Sequence, residues 1–250
     1  MEKVITQAIV EKYLKEIVDN VEVDVVICGA GPSGLLCGYY LAKEKIKVII
    51  FEKHLKVGGG MPGGGMMFNK IVFQKEVLNI LDEIGISYSY YKDDLFVSDS
   101  IEAISCLTYK AIKAGVKIFN LFSVEDVVVR ENKICGVVVN WTAVQQASLH
   151  VDPLAFISKY VVDATGHDCE VAKIVEKKLG VIKVKGEQSM WAEVAEKQLL
   201  DNTKEVYPGL IVCGMAANAF FGSYRMGAIF GGMFLSGKKA AEIIKSALLK

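Results

Sequence analysis

The chain has 250 residues, 52% of them apolar and 23% charged, enough to bury one large core, with or without an elaborated lobe. Twenty-nine Lys and Arg balance twenty-nine Asp and Glu, so the formal net charge is zero. No bulk charge draws the chain toward nucleic acid or an anionic membrane, and neither is expected as a partner.

The N-terminal stretch MEKVITQAIVEKYLKEIVDN carries acids throughout and lacks the continuous apolar core of a secretory signal. Its Val4, Ile5, Ile9, Tyr13, Ile17 and Val18 fall near helical spacing and predict an amphipathic helix. No apolar run approaches the ~18 residues that a membrane span needs. VDVVICG (23–29) is rich in β-branched residues and reads as a strand covered on both faces. GAGPSG follows, then the helical LLCGYYLAKEK, then a second buried strand, KVIIF, ending at Glu52.

This is a βαβ unit with Gly29, Gly31 and Gly34 in G-x-G-x-x-G spacing and an acid 18 positions after the last glycine. In such a unit the first glycine permits the tight turn, the second lets a phosphate reach the backbone, and the third lets helix and strand pack closely. The helix N-terminus offers free N–H groups and a positive dipole to a pyrophosphate, and Glu52 is placed to accept from ribose hydroxyls. The next segment, GGGMPGGG (58–65), holds six glycines in eight positions. Glycine this dense costs backbone entropy on ordering, so something must compensate for it.

Farther on, a helical stretch of 20–30 residues is predicted around QKEVLNILDEIG, then an amphipathic helix SIEAISCLTYKAIKAG closed by Gly115. VKIFNLFSVEDVVVRENKICGVVVNW reads as three short strands with a turn at ENK, a meander of about residues 116–140 inserted between parallel elements. YVVDATG (160–166) and LIVCGM (210–215) are further buried strands, and from Met226 a glycine-punctuated helix is expected to the end. No linker or repeat splits the chain. Residues 1–250 therefore read as one α/β dinucleotide-binding domain, with a mostly parallel central sheet covered by helices on both faces and a small antiparallel meander.

The six cysteines form no CxxC pair; Cys28, Cys37, Cys106, Cys135 and Cys213 lie in apolar patterns and read as small buried hydrophobes, as a reducing cytoplasm allows. There are three histidines. His54 sits among lysines and is expected in solvent. His150, in LHVDP, and His167, after a strand-ending glycine, fall near Asp152 and Asp168 in sequence. Imidazole and carboxylate with open positions suit Fe(II). By spacing alone, capping and turn roles explain these residues equally.

GAGPSG with Glu52, VVDATG and a final strand leading to a glycine-rich helix resemble the glutathione-reductase-type fold, most members of which bind FAD. After the last strand those proteins carry Gly-Asp, whose acid holds the flavin; here the run is Cys213-Gly214-Met215-Ala216. A closer likeness spans nearly the whole chain. GAGPSGL, FEKHLKVGGGMPGGGMMFN, NWTAVQQASLHVDP, DATGHD and GMAANAFFGSYRMGAIFGGM resemble the thiazole synthase family of thiamine biosynthesis.

That resemblance implies a nucleotide site for NAD, which is consumed as a substrate. Gly29, Gly31, Ser33, Gly34, Glu52, Lys53, Gly60, Val124 and Met215 would contact it, joined by His150 and Asp152. The glycine loop would close over the dinucleotide. The resemblance further implies Fe(II) held by Asp152 and His167 from adjacent protomers of a homo-octamer, and Arg225 as the grip on the glycine carboxylate. In fungal and plant relatives the position of His150 is a cysteine that gives up its own sulfur. Histidine cannot, so the chain resembles the archaeal branch, in which free sulfide is the sulfur source and turnover is catalytic. His150, Asp152 and His167 are then the candidate catalytic residues, with His150 suited to proton transfer. A flavin-dependent oxidoreductase of the same fold, a ribose bisphosphate isomerase and a non-catalytic nucleotide or metal carrier are the competing readings.

Overall fold

The computed structural model describes residues 1–249. Helix α1 (Glu2–Asp19) leads into β1 (Glu22–Cys28), α2 (Pro32–Lys43) and β2 (Val48–Glu52). β1 and β2 pair in parallel, with Val26 opposite Ile49 and Cys28 opposite Phe51, which is the βαβ unit expected from the sequence. Alternate side chains enter opposite layers: Val25 and Ile27 join the core beneath α2, while Val26 and Cys28 join the core on the other face.

The next stretch departs from expectation. In place of a long helix around QKEVLNILDEIG, the chain forms β3 (Lys70–Gln74), a seven-residue α3 (Leu78–Ile84), β4 (Ser89–Lys92) and β5 (Leu95–Asp99). The strands make an antiparallel sheet in the order β3-β5-β4. Period-two burial explains β3: Ile71 and Phe73 are buried while Lys70 is exposed. The β4–β5 turn is made by Asp93 and Asp94, both left-handed (φ 52° and 57°), as a tight hairpin requires. α4 (Ser100–Ala114) matches expectation, capped by the Asp99 carboxylate and closed by Gly115 at φ 116°.

β6 (Lys117–Asn120) pairs in parallel with β2, so it belongs to the main sheet and not to an inserted meander. β7 (Phe122–Arg130) and β8 (Lys133–Trp141) form a hairpin turned at Glu131 and Asn132, as the ENK signal implies. After a short α5 (Thr142–Gln146), the first half of β9 (Leu154–Asp163) pairs with β8 and its second half with β1. Then follow α6 (Glu170–Leu179), β10 (Gln188–Met190), α7 (Ala192–Asn202), β11 (Lys204–Tyr207), β12 (Leu210–Val212), α8 (Met215–Phe221), β13 (Tyr224–Arg225) and α9 (Gly231–Leu248). The last helix begins five residues after Met226, because the intervening segment carries a β-bridge from Ile229 to Val72.

The central sheet runs β11-β12-β9-β1-β2-β6, parallel apart from β11 and the attached hairpin. α2, α4 and α9 cover one face. α6, α7, α8 and the hairpin cover the other, around Phe51, Phe122 and Phe156. α1 is the predicted helix, yet none of its residues is buried. Tyr13 stacks on Trp141 at 6.2 Å, whereas Val4, Ile5, Ile9 and Val18 face outward. Among the described residues no helix is long and apolar enough to cross a membrane. All six cysteines are free thiols; Cys28, Cys37, Cys169 and Cys213 are buried, while Cys106 and Cys135 are only partly so.

Candidate active site

The parallel strands β1, β2, β9 and β12 end along one edge, and the cavity lies outside their carboxyl ends, where open α/β sheets bind ligands. Its volume is ≈ 940 Å³.

The three glycines of the first turn act differently. Gly29 adopts φ +103°, and a Cβ there would lie 2.4 Å from the Ala164 carbonyl oxygen of the neighbouring strand end. A Cβ on Gly34 would lie 2.1 Å from the Gly29 carbonyl oxygen, so helix α2 can seat on the turn only without a side chain. Gly31 meets nothing within 4 Å and opens directly into the cavity. α2 begins at the next residue, Pro32, with Ser33 on the cavity wall, so the free N–H groups of its first turn are at hand for an anion.

Glu52 ends β2 and is 5% exposed. Its Oε2 accepts from the Ala30 N–H at 2.9 Å and its Oε1 from the His54 N–H at 2.8 Å. Lys53 beside it donates to Glu170 Oε1 at 2.6 Å and lies 3.6 Å from Asp168 Oδ2. Burial lowers the affinity of the Lys53 amine for its proton, but these two carboxylates outweigh it and hold the pKa above the ordinary value. A fixed ammonium therefore faces the cavity that Glu52 and Gly31 also line.

The glycine segment 58–65 folds back over this turn. The Gly58 N–H donates to the Ala30 carbonyl at 2.8 Å, and Gly59 passes so close to Gly31 that a Cβ on it would be 3.4 Å from the Gly31 Cα. Gly59, Gly60, Gly64 and Gly65 all line the cavity. The glycine density serves this close approach of two backbone segments around the cavity.

The opposite wall comes from the end of β9. Asp163 is fully buried and accepts from the Thr165 N–H (3.0 Å), the Thr165 hydroxyl (2.6 Å) and the Ala172 N–H (2.9 Å). Burial raises its pKa, and these donors oppose the rise. They fix the short turn Gly166–Asp168, from which His167 reaches the cavity. His167 Nδ1 lies 2.7 Å from Glu187 Oε2. Cys169, next in the chain, is buried, and burial together with Asp163 pushes its thiol pKa far up. Past β12, Gly214 at φ +62° turns the chain toward Ser33 and opens α8 at Met215. Val124, Met215 and Arg225 complete the wall, with the Arg225 side chain exposed.

Of the residues singled out in the sequence, Gly29, Gly31, Ser33, Glu52, Lys53, Gly60, Val124, His167, Met215 and Arg225 lie on this one cavity. Gly34 packs beneath it. His54 also lines it, though it is exposed as expected. His150 and Asp152 do not line it in the single chain. They sit on an exposed segment between α5 and β9, flanked by exposed Leu149, Val151 and Leu154. Among the described residues no group of three or more His, Cys, Asp and Glu side chains is gathered to hold a metal. Glu170 and Glu187 escaped sequence reasoning. Glu170 could have been suspected as a carboxylate in the first turn of a helix after a strand end, but Glu187 lies in a segment without periodic signal.

Comparison with known proteins agrees over the full length. The Thi4 family model matches residues 6–230. The thiamine thiazole synthase of Methanothermobacter thermautotrophicus is 54% identical over 96% of this chain and 95% of its own length. That of Pyrococcus furiosus is 55% identical over 97% and 96%. The crystal structure of THI4 from Thermovibrio ammonificans superposes with a TM-score of 0.98 at 47% identity, covering 100% of this chain and 99% of that one. A geranylgeranyl bacteriochlorophyll reductase-like protein of Thermoplasma acidophilum shares the fold alone, at 14% identity and a TM-score of 0.54 over 91% of this chain and 79% of that one. With its nucleotide-type turn, its glycine loop and its sequence matched from end to end, this chain belongs to the Thi4 family.

Proposed function

We propose that the chain, a thiazole synthase of thiamine biosynthesis by family, makes an adenylated thiazole carboxylate from NAD, glycine and free sulfide. The observation that carries this reading is the meeting of a dinucleotide-type turn, the Lys53 ammonium, the His167 imidazole and the Arg225 guanidinium on one cavity. In this reading the diphosphate rests on the first turn of α2 and beside Lys53, and a ribose rests on Glu52. Loss of nicotinamide frees ADP-ribose, which opens and isomerises to a ketose. Glycine then condenses with it as an imine. Arg225 holds the glycine carboxylate with a planar pair of N–H donors. Sulfide addition, cyclisation and loss of water complete the ring. His150, from a second copy of the chain, moves protons near neutral pH. The flavin alternative calls for an acid directly after β12, and Met215 takes that place.

Fe(II) enters through the family resemblance. The donors fit it in part: His167 lines the cavity with Nδ1 engaged by a carboxylate, which leaves Nε2 for a ligand. Asp152 would come from a second copy, in keeping with its exposed position and the apolar residues around it. Such a site exists only in an oligomer, for which we propose the octamer. When bound, the metal supplies a Lewis-acid centre for the glycine-derived group and for sulfide. Six free thiols accord with a reducing compartment.

The test is an anaerobic incubation of the purified protein with NAD, glycine, sulfide and Fe(II), followed by mass spectrometry of the small molecules. Nicotinamide and an adenylated thiazole carboxylate are expected together. A protein that binds NAD but releases no nicotinamide under these conditions is a carrier, and the reading falls.

A further inference from the structure

We propose that Glu187 is a positioning residue that holds His167 in the tautomer with the proton on Nδ1 and Nε2 bare toward the cavity. The proposal rests on the functional reading above only for its consequence, metal binding; the tautomer can be tested by itself.

Glu187 is an unusual neighbour for an exposed histidine. Its side chain is 12% exposed, against 51% for His167, so the carboxylate is the sequestered partner of the pair. A near-buried carboxylate is costly to desolvate and persists where it has a specific partner. Here that partner is His167 Nδ1 at 2.7 Å, while Glu187 Oε1 is buried with no hydrogen-bond partner among the described residues. The carboxylate is thus committed to the imidazole.

The backbone around Glu187 is held on both sides. The Gly186 N–H donates to the Ala219 carbonyl at 2.9 Å, and the Gln188 N–H to the Ser223 carbonyl at 2.9 Å. Immediately afterwards β10 pairs with β13, setting Met190 opposite Arg225, and the Trp191 N–H donates to the Arg225 carbonyl at 3.1 Å. One short segment therefore reaches His167 through a side chain and Arg225 through the backbone. It spaces the imidazole and the guanidinium of the cavity relative to each other.

The chemistry follows from the donor inventory of imidazole. An ionised carboxylate only accepts, so the neutral ring must present N–H at Nδ1 and a lone pair at Nε2. That is the form in which a histidine binds a metal. A carboxylate behind it both fixes the ring and raises the basicity of the free nitrogen.

Two measurements test this. The first is 15N NMR of the histidines in the metal-free full-length protein, at about pH 8.5, roughly two units above the ordinary imidazole pKa of ~6.5. The His167 signals are assigned by their loss in His167→Gln. The expected result is the Nδ1–H tautomer in the wild type and a shift toward Nε2–H in Glu187→Ala. An Nε2–H tautomer in the wild type overturns the proposal, whatever the variants do.

The second is calorimetric titration with Fe(II) alone under anaerobic conditions. Glu187→Ala is expected to bind the metal about 10- to 100-fold more weakly. Glu187→Gln, whose amide oxygen still accepts from Nδ1–H, is expected to recover part of that loss. Wild-type metal affinity in a Glu187→Ala protein that still binds NAD also overturns it. The failure of the larger reading looks different: a wild type with the expected tautomer that makes no thiazole leaves the Glu187 assignment standing and removes the proposed reaction.

Discussion

The Ala30 N–H donates to Glu52 Oε2 at 2.9 Å, tying the turn after β1 to the end of β2. The other carboxylate oxygen takes the His54 N–H at 2.8 Å. Glu52 thus organises the two loops that frame the nucleotide end of the cavity before any ligand arrives. Replacing Glu52 with Ala removes the acceptor of two backbone donors and of the ribose. NAD binding is expected to weaken by about 1–3 kcal/mol, with a loss of thermal stability from the orphaned N–H groups. Glu52→Gln keeps one acceptor oxygen and should fall between. Calorimetry that finds NAD affinity unchanged in Glu52→Ala would place the ribose elsewhere.

Arg225 reaches the cavity from β13 and is proposed to grip the glycine carboxylate. Lysine keeps the charge but replaces a planar fork with a point donor. Arg225→Lys should therefore bind NAD like the wild type while needing roughly tenfold more glycine, the loss of about 1.4 kcal/mol from one charge-assisted hydrogen bond. The comparison is of initial rates against glycine concentration at saturating NAD. Identical half-saturation in the two proteins would remove Arg225 from this role.

How far the sequence carries depends on the kind of signal. The βαβ unit was legible because strand, glycine turn, helix and acid each constrain the next, and the structure joins Gly29, Gly31 and Glu52 as that logic requires. The β3-β4-β5 sheet was not. LNILDEI has helical spacing and does form α3, but that local pattern spread over flanking residues whose alternation and aromatic content favour strands. The pair Asp93-Asp94, both at positive φ, was the overlooked turn signal. Long-range partners leave less trace. Nothing in VKGEQSM distinguishes Glu187 from a surface acid, because its role arises only when residues twenty positions apart meet.

His150 and Asp152 lie off the cavity in the single chain, on an exposed segment flanked by Leu149 and Val151. If the reactive centre is shared between copies, Asp152→Ala and His167→Ala each abolish it by losing different halves. Mixed oligomers of the two inactive proteins should regain activity, because some interfaces pair an intact Asp152 with an intact His167. Random exchange predicts recovery of about one quarter of wild-type sites, since each half has an even chance of being intact at a given interface. The measurement is activity after dissociation and reassociation of differently tagged variants. Verified subunit exchange without any recovery would put both residues in one chain's site or outside it.

Glu196 predicts a pH dependence of stability. It lies beside the first turn of α9, accepting from Gln74 Nε2 and from the Gly232 N–H. Burial pushes its carboxyl up from 4.5 to about 7 against those hydrogen bonds. Below pH 4.5 both folded and unfolded chains carry the proton, and the site costs nothing. Between 4.5 and about 7 the unfolded chain releases it while the folded chain keeps it, so stability falls as pH rises. The full loss above that window is on the order of 2–3 kcal/mol. Glu196→Gln, neutral throughout and able to donate to the buried, unpartnered Gln74 Oε1, should flatten the dependence. Urea midpoints at pH 5 and pH 8 for both proteins give the comparison. An equal drop in the two would mean the slope comes from other acids.

The last prediction concerns the sulfur. His150 stands where suicidal relatives carry a cysteine donor, and no side chain at that position can give up sulfur. The remaining thiols are poorly placed to substitute. Cys28, Cys37 and Cys213 are buried in the core, and burial drives their pKa values upward, away from the thiolate form. Cys169, near His167 in sequence, is also fully buried and is pushed in the same direction by burial and by Asp163. The more exposed Cys106 and Cys135 do not line the cavity. The wild-type protein should therefore make more than one thiazole per chain, and only with added sulfide. Its own mass should not change during turnover, whereas a suicidal enzyme loses the mass of one sulfur atom as cysteine becomes dehydroalanine. His150→Cys should lower the dependence on added sulfide if the thiol reaches the ketose-derived intermediate. Intact-protein mass spectrometry after anaerobic incubation with NAD, glycine and Fe(II), with and without sulfide, decides the matter. Product formed without sulfide, accompanied by a sulfur-sized mass loss, would show that one of these cysteines becomes accessible and acts as the donor.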